Sequence, residues 1–177
     1  MDLCLVGSEM CIRDRGRPIL ENMTSPALKS FSRFGIIDQK KEREQALSNG
    51  EKFTVDVSRM DAEAGVLSGG NQQKVALGKW LAINPKVLLV NEPTRGVDVG
   101  ARAEIYQKLR DLANEGTAVI FASTDIQEVA GLADRVISFY RGMQVGEIAK
   151  DQITAASILQ QITHPFDDVP QKAEMAE

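Results

Sequence analysis

LSGGNQQKVALGKWLAINPKVLLVNEPTRGVD, residues 67–98, decides the architecture, because it holds two anion-directed elements in a fixed order. Ser68-Gly69-Gly70 stand directly before an apolar helical stretch. A serine and two glycines at a helix start leave backbone N–H groups accessible, and the helix dipole makes them an anion site. The helix is predicted over Gln72–Ile83, with Val75, Leu77, Trp80, Leu81 and Ile83 nearly all round it, so it should pack on both sides before Pro85 ends it. Val87–Val90 then reads as a fully buried strand. It runs into Asn91-Glu92-Pro93, and ligands of open α/β sheets lie beyond the carboxyl ends of strands, which puts Glu92 where a substrate belongs. Gly96-Val97-Asp98 follows in a loop. Taken singly, each piece is ordinary: a turn and cap, a strand ending in a carboxylate, a turn aspartate. The ordered combination is not.

That combination resembles the ATP-binding cassette ATPases. LSGG is similar to their signature loop, VLLVNEP to their Walker B strand and GVD to their D-loop. The forms LSGGNQQKV and NEPTRGVDVGARAEIY resemble the C-terminal cassette of tandem sugar-importer ATPases of the ribose and galactose type, over roughly residues 17–163. The resemblance implies an α/β fold: an incomplete ABC-type P-loop ATPase domain, with a parallel-sheet core, packed helices and part of the helical subdomain. It implies ATP and Mg2+ as cofactors. Cassettes of this family work as head-to-tail pairs, each ATP lying between the Walker motifs of one and the signature loop of the other. By that pattern Glu92 positions water, Asn91 stands at the metal-contact position, and Thr124 at the switch position. Ser68, Gly69, Gly70, Asn71 and Gln72 face the partner's nucleotide, and Asp98 lies at the contact between cassettes. The implied partners are an N-terminal cassette, transmembrane permease subunits and, indirectly, a periplasmic or extracellular sugar-binding protein. The implied place is peripheral, at the cytoplasmic face of a bacterial membrane.

Three departures from the family pattern matter. No GxxxxGK(S/T) run occurs, so the Walker A phosphate cradle is missing from this sequence. Asn91 stands where the Walker B strand usually ends in aspartate; losing a full charge beside Mg2+ costs on the order of a few kcal/mol in a partly shielded site. Ser123-Thr124-Asp125 follows the next strand where histidine is usual, and a threonine hydroxyl is shorter and never cationic. His164, the only histidine, cannot align there. The cassette's own ATP site is therefore expected to be weakened, while the half presented to its partner is intact. The chain alone is expected to be inactive.

Composition sets the frame. With 177 residues, 43% hydrophobic and 26% charged, the chain has room for one domain with a sizeable core. A net charge of −4 argues against a nucleic-acid face, and no apolar run approaches a membrane span. The opening MDLCLVGSEMCIRDR, residues 1–15 and bearing both cysteines, resembles nothing in the family; it lacks a signal peptide's basic start, and two lone cysteines make no metal site. It is read as a non-native leader, the alternative being a genuine short extension, and is set aside from the fold argument.

Residues 16–66 are assigned to the helical subdomain, 67–163 to the ATPase core and 164–177 to a disordered tail. A helix is predicted from Ser25-Pro26 to about Phe34, stopped by Gly35. A second should start on an Asp38 cap and end or kink at Asn49-Gly50, and Phe53–Val57 has an extended look. Gly100–Asn114 places Ile105, Leu109 and Leu112 on one helical face. Ala118–Ala122 reads as a second buried strand parallel to the first. Without the strand that feeds Walker A, the sheet is expected to keep a partly uncovered edge and apolar face. Ile126–Leu132 is a short helix, Val136–Tyr140 and Gln144–Ile148 are strands at the far side of the sheet, and Thr154–Ile162 is a last helix. Two other functions fit a signature loop with Walker B and no Walker A. One is the C-terminal half of a chromosome-structure or DNA-repair ATPase, which should show long heptads before residue 67; residues 16–66 have none. The other is a non-catalytic regulatory module that kept the fold.

Overall fold

The computed structural model describes residues 3–6 and 12–163; the predicted tail lies outside them. The described residues fall into two compact units that divide between Ala122 and Ser123.

The first unit is built on a three-stranded parallel sheet in the order β1-β4-β5. Strand β4 (Val87–Asn91) is central, and β5 (Ala118–Ala122) pairs with it from Val87↔Ala118 to Asn91↔Ala122. The buried side chains of β4, Leu88 and Val90, alternate with half-buried Val87 and Leu89. Strand β1 (Leu3–Val6) lies on the other side of β4, with Leu3↔Val87 through Val6↔Val90 in register, and Val6 is buried. Four residues of the leader thus add a strand that takes up hydrogen bonding on that side of β4. β5 also departs from expectation. It is an edge strand with side chains alternating between half-buried and exposed, and Ile120 is 57% exposed.

Helices cover the sequence before the sheet motif. Helix α1 spans Ile12–Arg15, α2 Ile19–Thr24, α3 Leu28–Phe31 and α4 Gln39–Lys52. The predicted helix over 25–34 is broken. A 3-10 turn at Ser25–Ala27 carries the proline, α3 is one turn long, and β2 (Ser32–Arg33) folds back on β3 (Ile36–Ile37). Phe34 and Gly35 both have positive φ, 54° and 81°, as a two-residue hairpin turn requires. Asp38 does cap α4, accepting from the Lys41 N–H at 3.2 Å. The helix runs through Asn49-Gly50 because both are buried: a Cβ on Gly50 would collide with the Met60 methyl, so glycine here permits close packing rather than a stop. Nor is Phe53–Val57 a strand. Thr54 has φ +55°, while Phe53 and Val55 turn into the core and a 3-10 turn follows at Val57–Arg59.

Helix α5 (Gly69–Leu81) packs against both α2 and α4, with Val75, Ala76 and Leu77 buried, in line with its all-round apolar pattern. Helix α6 (Val99–Asn114) buries Ile105, Leu109 and Leu112 on one face.

The second unit has its own core. Helix α7 (Ile126–Leu132), strands β6 (Arg135–Tyr140) and β7 (Met143–Ala149) and helix α8 (Ala155–Thr163) enclose Val136, Ile148 and Ile158. Among the described residues β6 and β7 pair only with each other, antiparallel, as a two-stranded sheet of their own, which corrects their expected place at the far side of the parallel sheet. The turn at Arg141-Gly142, with φ of 48° and 82°, makes that pairing local. Ser138 Oγ donates to Gln161 Oε1 at 2.8 Å inside this unit.

Candidate functional site: two loops at helix starts

Ser68 is the N-cap of α5, and its hydroxyl accepts from the Asn71 N–H at 3.4 Å, longer than a strong cap bond. The hydroxyl is exposed and loosely held, and the N–H groups of Gly69 and Gly70 open the helix, where no intrahelical acceptor exists for them. Gln72 turns back, donating Nε2 to the Leu67 carbonyl at 2.8 Å and to that of Gly65 at 3.4 Å, which fixes the loop before the helix. Asn71 is half-buried. The result is a run of backbone donors at a positive dipole end, suited to a phosphate oxygen.

The second loop follows β4. Asn91 is the exposed last residue of the strand, and Glu92 comes next with φ +50°. Its backbone N–H donates to the Ala122 carbonyl at 2.8 Å, continuing the β4–β5 ladder by one bond, while its own carbonyl accepts from Arg95 N–H at 3.3 Å. A left-handed glutamate is costly, by about 1–2 kcal/mol, and such strain gathers where a side chain must be aimed. The chain then turns on the Val97 N–H to Thr94 carbonyl bond of 3.1 Å. Asp98 caps α6, accepting from Ala101 N–H at 3.0 Å. The bland reading of Asp98 as a turn residue thus becomes a specific one: its carboxylate starts a helix.

The structure brings these two loops together. A Cβ on Gly70 would lie 2.7 Å from Ala101 Cβ, 3.4 Å from Val97 Cγ1 and 3.7 Å from Asp98 Oδ2, and one on Gly69 would lie 3.3 Å from the Gly96 carbonyl. The second glycine is needed because the start of α6 occupies the space a side chain would take. Arg102 Nε donates to the Val97 carbonyl at 2.9 Å, and Lys74 on α5 pairs with Glu104 on α6. These last three residues were not singled out from the sequence. Their only signal there is helical spacing, which does not reveal a partner on another helix. Thr124 heads the second unit, exposed, between Ser123 and the α7 cap Asp125; the Asp125 carboxylate accepts from Gln127 N–H at 3.0 Å and Glu128 N–H at 3.3 Å.

The donors available for a divalent metal are few. Asn91 offers a neutral amide oxygen and Glu92 one carboxylate, and among the described residues no group of three or more His, Cys, Asp or Glu could hold a metal ion. Hard cations of this class take about six oxygen ligands. The residues present do not fit a Mg2+ site by themselves. No helix among the described residues is long and apolar enough to cross a membrane.

Comparison with known proteins agrees with this geometry. A family model described as ABC transporter matches residues 5–95, about half the chain. Over 145 residues the chain is 41% identical to the ribose import ATP-binding protein RbsA of Streptococcus agalactiae, a match covering 82% of this chain and 30% of that protein. It is 43% identical over 141 residues to the RbsA protein of Bacillus licheniformis, covering 80% and 29%. The chain thus spans about 30% of the length of the curated relatives it matches. Among solved structures, an ATP-binding cassette of an ABC transporter in its ADP conformation matches with a TM-score of 0.72 at 21% identity, covering 93% of this chain and 65% of that one. A nucleotide-free cassette matches with a TM-score of 0.74 at 19% identity, covering 92% and 68%. At those identities the structural likeness speaks for the fold alone.

Proposed function

The chain belongs to the ABC transporter family, and from that premise we propose that it acts as the C-terminal cassette of a tandem ATP-binding subunit that energises sugar import. The observation that carries the reading is the joined pair of loops: a glycine-opened helix start packed against the Asp98-capped helix. The kinship to proteins named for ribose import supports the substrate class. In this reading Ser68, Gly69, Gly70, Asn71 and Gln72 face a nucleotide held by an N-terminal cassette, and Asp98 lies beside that contact. Permease subunits form the membrane pathway, a sugar-binding protein acts through them, and the subunit sits peripherally on the cytoplasmic face.

The chain's own residues do three things in this scheme. The first-turn amides of α5 hold phosphate oxygens without needing a proton transfer, and the Ser68 hydroxyl adds one adaptable donor. Gly70 keeps the loop flush with α6, so that closure leaves no water-filled gap beside the nucleotide. Glu92 is aimed from the strand end by its left-handed backbone and, in a complete site, orients water. ATP and Mg2+, held by a phosphate cradle that these residues do not provide, would supply the phosphoryl chemistry. The own site, with Asn91 and Thr124, is the slower of the two.

The test uses a tandem subunit in which this chain supplies the second cassette. Ser68→Arg puts a bulky cation at the helix start and is expected to remove most ATPase and transport. Glu92→Gln is expected to change steady-state turnover by less than about two-fold, because the site it serves is already slow. Equal, large losses from both changes would sink the asymmetry. A chromosome-structure or DNA-repair ATPase, the main competitor, would instead show turnover stimulated by DNA and untouched by permease.

A further inference from the structure

We propose that Lys74 and Glu104 are positioning residues that lock the signature loop and the D-loop into one block. The inference rests on the functional reading above for its meaning, but not for its geometry. Lys74 lies five residues into α5, with its side chain 8% exposed; Glu104 lies five residues into α6, with its side chain 53% exposed, and the two form an ion pair. The pair sits just beyond the point where the two helix starts meet. There Gly70 leaves no room for a side chain against Val97 and Ala101, and Gly69 stands over the Gly96 carbonyl. Within the second loop itself, Arg102 donates to the Val97 carbonyl at 2.9 Å and Asp98 holds Ala101 N–H at 3.0 Å, so Gly96–Asp98 is tied to the start of α6.

This arrangement has a mechanical consequence. Close contact at Gly70 resists compression but does not resist separation, since dispersion falls off steeply once a gap opens. An ion pair with one member buried supplies the missing tension: pulling the helices apart takes the Glu104 carboxylate away from an ammonium whose side chain is only 8% exposed. The two loops therefore move together. Any motion that carries Ser68–Gly70 toward a nucleotide carries Gly96–Asp98 with it, and the pair acts on turnover without touching the nucleotide.

The experiment has two arms. In the 177-residue chain, hydrogen exchange is followed at the hydrogen-bonded amides of the two loops, Asn71 and Gln72 on one and Val97, Ala101 and Arg102 on the other, for Lys74→Met, Glu104→Gln, the double change, and the reversed pair Lys74→Glu with Glu104→Lys. Arg43→Gln, which breaks the exposed pair with Asp61, is the control. Either single change is expected to speed exchange at both loops together, by about ten-fold, the double change no further, and the reversed pair to recover part of the protection. Exchange rising at only one loop, or no more than in the control, overturns the proposal. In the tandem subunit, Glu104→Gln is expected to lower kcat by about ten-fold with the KM for ATP within about two-fold, because the loop remains able to bind but is badly placed. A rise in KM at unchanged kcat also overturns it. If the parent subunit has no ATPase, the functional reading fails while the exchange arm still decides the coupling. Glu104→Asp, which keeps the charge and shortens the reach, covers the case of a poorly folding Lys74→Met.

Discussion

At the scale of single residues, the Glu92 backbone departs furthest from what its side chain prefers. Its φ of +50° places a glutamate in the left-handed region, where asparagine and glycine are at ease and other residues carry a cost of about 1 kcal/mol. The sequence announces the carboxylate but not the conformation, because the residues that impose it, Ala122 through its carbonyl and Arg95 through its N–H, act through backbone atoms. Glu92→Asn is accordingly expected to be more stable than Glu92→Gln by about 0.5–1 kcal/mol. Both remove the charge, and only the first relieves the backbone. Chemical denaturation of the two variants compares them directly; equal midpoints would mean the backbone is not strained there. Asp98 illustrates the opposite case. The sequence places it in a loop, and the structure makes its side chain the cap of α6 on Ala101 N–H, at no backbone cost because its own φ is −66°.

At the scale of elements, segments marked by an apolar run or a one-sided apolar face were legible, and those shaped by tight turns or tertiary packing were not. Helices α6 and α7 and strand β5 lie where spacing puts them, and the bounds of α7 and β5 match to the residue. Ser32–Arg33 falls within the helix predicted to about Phe34, and its pairing with Ile36–Ile37 leaves no signal because each strand is two residues long, too short for any period to register. Asn49-Gly50 was read as punctuation because burial against Met60 is a tertiary fact. Element α4 also carries a pH dependence. Arg43 donates both guanidinium N–H groups to Asp61, each at 2.8 Å, and these hydrogen bonds hold the Asp61 carboxyl below the ordinary carboxylate range while raising Arg43. For an acid whose pKa is depressed on folding, the contribution is present above its unfolded value and is lost as pH falls through the folded one. Asp61→Asn should therefore flatten the acid end of the stability curve below about pH 4 and leave its slope at neutral pH unchanged. The site is fully exposed, so the effect is small and shrinks with salt. Urea midpoints at a series of pH values, at low and high ionic strength, read it; a parallel pair of curves would remove Asp61 as a contributor.

At the scale of the whole molecule, the family and the α/β class were legible because a few motifs carry them, whereas two features depended on pairing that no motif encodes. One is β1: its four apolar residues have no distinguishing pattern, and only the open side of β4 gives them a place. The other is the β6–β7 hairpin, whose residues alternate as a sheet strand would but find each other across a two-residue turn. Of the candidate site, the helix start behind Ser68–Gly70 and the strand ending at Asn91 were legible as elements, and the packing of Gly70 against Val97 and Ala101 was not. This bears on what the chain can do by itself. Phosphoryl transfer is almost wholly positioning and charge stabilisation, so a chain without a GxxxxGK(S/T) cradle lacks most of its phosphate contacts whatever its other residues are. Asn91→Asp restores a charge at the end of β4 but supplies only one more metal oxygen. Neither the parent chain nor Asn91→Asp is therefore expected to release phosphate from ATP above a no-protein blank, with or without Mg2+. The same Asn91→Asp change in a tandem subunit, where another chain segment brings the cradle, should tighten magnesium-nucleotide binding at the second site and raise turnover little while Thr124 stays at the switch position. Equilibrium binding of a nucleotide analogue and steady-state phosphate release separate the two effects. Turnover by the isolated chain that Glu92→Gln abolishes would mean that a complete phosphate site forms from residues 1–177 alone. A large rise in tandem turnover from Asn91→Asp would mean that the missing charge, and not the missing histidine, had held the second site back.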